Sequence, residues 1–125
     1  MSDESVSVLI VDDQLPFRMA ARAVVRATKG FESVGEAKSG EEAVEMVGDL
    51  APQLVLMDIN MDGISGIEAT RRITKEHGDT KVILLSTYDA DDLPADARDC
   101  GAIAYIHKEQ FGPDVLRSTW EGAGA

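Results

Sequence analysis

The sequence predicts a doubly wound α/β domain, a parallel sheet of five strands with helices on both faces. Three observations carry this. Short apolar runs of strand length alternate with segments of helical period, five times over. Glycines, prolines and capping serines fall at the joins between them. The 125 residues, 44% of them hydrophobic, suffice for one core.

Val6-Ser-Val-Leu-Ile-Val11 reads as a buried strand. A helix is predicted over Pro16–Thr28, with Pro16 in its first turn and Phe17, Ala20, Ala21, Val24 and Ala27 as its apolar face. Arg18, Arg22, Arg26 and Lys29 recur along one side of it and read as a solvated basic stripe. Phe31 to Ala37 is the second strand. Ser39-Gly-Glu-Glu42 is a capping box that opens a helix with Ala43, Val44 and Val47 inward, and Pro52 ends it. Leu54 to Met57 is the third strand. Ser65-Gly-Ile-Glu68 is a second capping box, with a helix to about His77.

Lys81 to Ser86 is the fourth strand. A weak helix is expected near Asp91–Cys100, with Pro94 in its first turn and Gly101 after it. Ala102 to His107 is the fifth strand. Gly112-Pro113 opens a last helix carrying Val115, Leu116 and Trp120, and Glu-Gly-Ala-Gly-Ala closes the chain as a frayed tail. Five β-then-α units joined by right-handed crossovers suit the flavodoxin-like strand order 2-1-3-4-5, with five helices. Residues 1–125 read as a single domain with its core at about 6–120.

The formal charge of −11 leaves no basic surface for nucleic acid. The single cysteine, Cys100, excludes an internal disulfide and reads as a small buried side chain, which suits a reducing cytoplasm. The first residues show no signal peptide, and no apolar run approaches membrane-spanning length.

Ligands of such sheets bind beyond the carboxyl ends of the strands. Asp12 and Asp13 follow strand one, Asp58 strand three, Ser86 and Thr87 strand four, and Lys108 strand five. "MDINMDGISG", residues 57–66, imitates half of a calcium loop through Asp58, Asn60, Asp62 and Gly63. The glutamate such a loop needs at its twelfth position is absent, since Ala69 stands there. A different chemistry fits better. Crowded carboxylates raise one another's pKa, and a hard cation resolves the conflict. Few oxygen ligands suit Mg²⁺, which keeps several waters and binds readily beside phosphate. A carboxylate beside Mg²⁺ and Lys108 can act as a nucleophile toward a phosphoryl group, with a serine hydroxyl donating to its oxygens. His77 and His107 have no second ligand nearby in sequence and read as solvated or packed side chains.

"VLIVDDQ", "LVLMDINMDGISGIEATRRI", "VILLSTYD" and "GAIAYIHK", in this order and spacing, resemble the receiver domain of two-component response regulators, the CheY-like family. "GEAKSGEEAVEMV" further resembles receivers of the NarL/FixJ class. The resemblance implies that Asp58 is the phosphoacceptor. It implies that Asp13 binds Mg²⁺ (or Mn²⁺ in its place) directly, Asp12 partly through water, and Asn60 through its main-chain carbonyl. Lys108 would pair with the phosphoryl group, Ser86 with its neighbour Thr87 would supply a hydroxyl, and Tyr105 would turn inward behind Ser86. The family's switch surface is the fourth helix, fifth strand and fifth helix.

The implied function is a phosphoacceptor signalling switch, not an enzyme beyond self-phosphorylation from small donors and self-dephosphorylation. A sensor histidine kinase or histidine phosphotransfer protein would supply the phosphate. The partners include an unknown downstream protein and leave room for a phosphorylation-dependent homodimer. They include no membrane and, for this chain alone, no nucleic acid. NarL/FixJ relatives usually carry a DNA-binding domain after the receiver, whereas a stand-alone receiver is expected here. In the family the first helix is the kinase-docking surface, so the basic stripe there has a second reading.

Three positions depart from the family pattern: Asp62 and Glu109, where many relatives have proline, and Pro94 inside the fourth helix. Glu109 implies no cis-proline. The main alternative is a haloacid-dehalogenase-like phosphatase that also forms an aspartyl phosphate, but it needs an aspartate where Asn60 stands. A flavodoxin-like redox module is the third, and Asp12-Asp13 would repel its phosphate.

Overall fold

The computed structural model describes residues 5–61, 63–87 and 93–122. The expectations placed on residues 1–4, Asp62, 88–92 and 123–125 lie outside them. Strands β1 (Val6–Val11), β2 (Phe31–Ala37), β3 (Leu54–Asp58), β4 (Lys81–Ser86) and β5 (Ala104–His107) form one parallel sheet in the order β2-β1-β3-β4-β5. Helices α1 (Leu15–Ala27), α2 (Gly40–Leu50), α3 (Gly66–Glu76) and α4 (Pro113–Gly122) complete the fold. No described helix is long and apolar enough to cross a membrane.

The central strands β1, β3 and β4 are largely apolar on both faces because both faces are covered. Leu9, Val11, Val55, Met57, Val82 and Leu84 pack under α2 and α3. Their neighbours Val8, Ile10, Leu54, Leu56, Ile83 and Leu85 face the other way, against α1 and α4. Each buried aliphatic side chain contributes about 1.5–3 kcal/mol. All five residues of β3 are buried, so its last residue, Asp58, is carried into the interior with the rest. Between β1 and β2 the register slips by one residue: Val8 pairs with Ser33 and Leu9 with Gly35, which leaves Val34 outside the pairing.

Both capping serines act as expected, but only half of each box closes. Ser39 accepts from the Glu42 amide and Ser65 from the Glu68 amide, each at 3.1 Å. The Glu42 carboxylate accepts from the Lys38 amide, one residue beyond the box. The Glu68 carboxylate instead takes Arg71 and Arg72 on its own helix. Ala51 ends α2 in the left-handed conformation (φ 47°), and the buried Pro52 follows.

The apolar face of α1 is rotated from the expected one. Ala21 and Val25 are buried and Phe17 and Val24 half-buried, but Ala20 and Ala27 are exposed. Arg18 takes a place in the buried stripe, because partners wait for it beneath the helix.

The described residues hold four α-helices rather than five. Of the helix expected near Asp91–Cys100, the part described is a single 3-10 turn, Ala95–Arg98. Pro94 is extended (ψ 144°) and precedes this turn instead of entering it. Asp96 and Asp99 favour turns over helix interiors, and Gly101 (φ +102°) redirects the chain immediately afterwards. β5 accordingly starts at Ala104, two residues later than expected. At the other end α4 runs to Gly122, so Glu121 and Gly122 are helical rather than frayed.

Candidate functional site

Parallel register places the expected site residues side by side. Val11 pairs with Met57, so Asp12 emerges next to Asp58. Asp58 pairs with Leu85, and Ser86 with His107, so Ser86 and Lys108 emerge on the following strands. One carboxylate oxygen from each of Asp12, Asp13 and Asp58 lies within 4.8 Å of the other two. Asp12 is fully buried, Asp58 is 4% exposed and Asp13 is half-buried.

Lys108 reaches into this cluster. Its ammonium donates to Asp12 Oδ2 at 2.7 Å and lies 3.2 Å from Asp58 Oδ1. It also sits 4.4 Å from the centroid of the Phe17 ring, which leans on Phe111 with centroids 6.3 Å apart. A 3-10 turn, Lys108–Gln110, presents the lysine, and the His107 imidazole caps that turn by accepting from the Glu109 amide. His107 is thus a structural side chain. Asp12 has a second task besides the site: its Oδ1 accepts from the Gln14 amide where α1 begins.

Burial raises the Asp58 carboxyl to a pKa of about 6, and the charge of Asp12 pushes the same way. The Lys108 charge and hydrogen bond, and the Asn60 amide, pull it back without prevailing. Burial also pulls on Lys108, downward, but the hydrogen bond to Asp12 and the charges of Asp58 and Asp12 outweigh it and leave the ammonium above its ordinary value. Three carboxylates against one ammonium leave surplus negative charge. That surplus, and an all-oxygen donor set within 4.8 Å, fit a hard divalent cation.

Several loops frame the cluster. Asp13, Ile59, Asn60, Met61 and Ser65 line an open depression of about 280 Å³. Gly66 starts α3 hard against the main chain of Asp58 and Ile59, and its amide donates to the Ile59 carbonyl at 3.0 Å. Glu41, from the first turn of α2, accepts from the Ile64 amide at 3.3 Å and steadies the loop after β3. Ser86 is buried and Thr87, next to it, is exposed. The half-buried Tyr105 donates its hydroxyl to the Ser86 carbonyl at 3.4 Å.

Sequence reasoning missed one polar group. Arg18, read as part of a solvated stripe, is 7% exposed. Its Nη1 donates to the Asp12 carbonyl at 2.7 Å and its Nε lies 3.3 Å from Glu36 Oε1. Arg22 donates to the other oxygen of Glu36. One signal was present: Arg18 stands three and seven residues before Ala21 and Val25, on the face those two bury.

Residues 8–121 match the family model of the response regulator receiver domain. The chain is 38% identical over 120 residues to the response regulator UvrY of Escherichia coli K12, covering 94% of this chain and 55% of that protein. It is 38% identical over 110 residues to the transcriptional regulatory protein LiaR of Bacillus subtilis, covering 88% of this chain and 52% of LiaR. The chain therefore spans about half the length of these relatives. It superposes on the response regulator domain of Thermotoga maritima CheB with a TM-score of 0.85 and 30% identity, covering 97% of this chain and 98% of that one. The haloacid-dehalogenase alternative finds no support in these matches, and Asn60 lacks the acid it requires. With strand order, strand-end chemistry and kinship in agreement, the chain belongs to the response regulator receiver family of two-component signalling, as a CheY-like domain of the NarL/FixJ class.

Proposed function

We propose that Asp58 is the phosphoacceptor of this receiver, taking its phosphoryl group from a sensor histidine kinase or a histidine phosphotransfer protein. The observation that carries this reading is the contact of Lys108 with both Asp12 and Asp58 at the buried end of β3. An Asp58 oxygen attacks phosphorus as the phosphorus–nitrogen bond of the donor phosphohistidine breaks, and the imidazole leaves with the electron pair. Lys108 is held beside the nucleophile, where its charge can neutralise an incoming phosphoryl oxygen. The Asn60 amide steadies the carboxylate.

Asp12, Asp13, Asp58 and the Asn60 carbonyl would hold Mg²⁺, or Mn²⁺ in its place. When bound, the ion neutralises charge on the transferring group. Ser86, on the neighbouring strand, would donate its hydroxyl to a phosphoryl oxygen, with Thr87 beside it. Tyr105 already touches the Ser86 carbonyl, so a shift of Ser86 is transmitted to a half-buried ring on β5. A downstream protein, or a second copy of this chain, would read that change. The strongly acidic chain is expected to work without nucleic acid of its own, in the cytoplasm.

The test is direct. Acetyl phosphate with Mg²⁺ should add one phosphoryl mass to the chain, and none to Asp58→Asn. Equal labelling of that variant would reassign the acceptor.

A further inference from the structure

We infer that Arg18 is a positioning residue for the acidic loop after β1: held from below by Glu36, it grips the peptide unit that joins Asp12 to Asp13. This rests on the reading of those two aspartates as a metal site and names what fixes their geometry.

The Asp12 carbonyl oxygen belongs to the same rigid plane as the Asp13 amide. A donor on that oxygen therefore sets the direction in which the chain leaves Asp12 and the place at which Asp13 begins. Arg18 supplies the donor at 2.7 Å. The other polar groups of Asp12 are also engaged. Its amide donates to the Ala37 carbonyl at 3.1 Å, and its carboxylate takes Gln14 and Lys108. Without Arg18 the carbonyl is the one group left unsatisfied in a fully buried residue.

A buried guanidinium needs a counter-charge. Glu36 supplies it from β2, where it pairs with Ile10, two residues before Asp12. The planar fork of arginine suits this double task, since Nε and Nη1 point to different partners at fixed angles. A lysine has one ammonium and cannot hold Glu36 and the carbonyl in the same geometry. Arg22 shares Glu36 from its other oxygen and keeps the carboxylate oriented. The result is a polar chain from the sheet edge, through α1, to the loop that carries two of the three carboxylates.

The experiment compares Arg18→Met, Arg18→Lys, the milder Glu36→Gln, and Val25→Ala. The last empties part of the same buried face without touching a polar group of the loop. Mg²⁺ affinity is measured by calorimetry, and stability by urea unfolding. Arg18→Met should weaken Mg²⁺ binding roughly tenfold or more, Glu36→Gln less, and Arg18→Lys should recover only part. Val25→Ala should lose stability and keep its affinity.

Amide NMR of the metal-free proteins gives a second arm. The Asp13 and Gln14 signals should shift in Arg18→Met and stay in place in Val25→Ala. Wild-type affinity in Arg18→Met, or an equal loss in Val25→Ala, would overturn the inference. A wild-type chain that takes no Mg²⁺ would sink the metal-site reading instead, and the amide arm would still decide whether Arg18 braces the loop.

Discussion

A Cβ placed on Gly66 would stand 1.9 Å from the main-chain oxygen of Asp58. No side-chain rotation relieves that, because the obstacle is backbone. The helix α3 approaches the end of β3 as closely as it does only because residue 66 has no side chain. Gly66→Ala should therefore destabilise the chain by about 1–3 kcal/mol in urea unfolding, despite the better helix propensity of alanine. It should also depress labelling of Asp58 by acetyl phosphate. A Gly66→Ala chain as stable as wild type would show that the contact yields without cost.

The Asp58 carboxyl should make stability depend on pH in a definite sense. Its folded pKa, about 6, lies above the ordinary 3.8. The fold thus prefers the protonated form. That preference stabilises the chain fully below pH 4 and fades as pH rises through 6. Relative to Asp58→Asn, metal-free wild type should lose on the order of 1–3 kcal/mol between pH 4 and pH 7.5. Unfolding in EDTA at the two pH values measures the difference. A constant gap between the two proteins would mean that Asp58 titrates normally.

Mg²⁺ should raise the melting temperature. A ligand that binds only the folded state stabilises it by about 2.7 kcal/mol at a hundredfold excess over Kd. Asp13→Ala should show a smaller shift, and EDTA should reverse both. Melting curves unmoved by millimolar Mg²⁺ would count against the carboxylate cluster as a cation site.

Ser86 and Tyr105 should separate chemistry from signalling. Ser86→Ala should still accept phosphate at Asp58 but lose most of the change that beryllofluoride, an acyl phosphate mimic, produces in the amide spectrum around Tyr105. Tyr105→Phe removes the long hydrogen bond to the Ser86 carbonyl, a contact worth about 0.5–1.5 kcal/mol. Identical beryllofluoride shifts in Ser86→Ala and wild type would place the coupling elsewhere.

What the sequence made legible was whatever depends on neighbours along the chain. Strands β1, β2 and β4 have the bounds that the sequence predicts, and Ser39 and Ser65 cap the helices that follow them. The strand-end residues Asp12, Asp58, Ser86 and Lys108 could be placed because parallel strands of known order bring their tips together. Arg18 could not. Its burial depends on a carboxylate eighteen residues away, on another strand, and on a main-chain oxygen that no residue letter encodes. The short turn at Ala95–Arg98 was half visible. Pro94 and the aspartates weakened the helical pattern there, but β-then-α alternation favoured a full helix, and local chemistry prevailed over that expectation.

The register slip opposite Val34 has a consequence for crowding. β2 lies at the rim of the sheet, with β1 as its one partner among the described strands. A straight rim strand offers an unbroken row of amides and carbonyls on which another chain can zip. Here the row is interrupted at Val34, and the exposed Glu32 adds negative charge beside the break. A strand from a second copy would fall out of step halfway along and meet like charge. The slip therefore makes the outer edge of β2 a poor template for edge-to-edge pairing between copies of the chain.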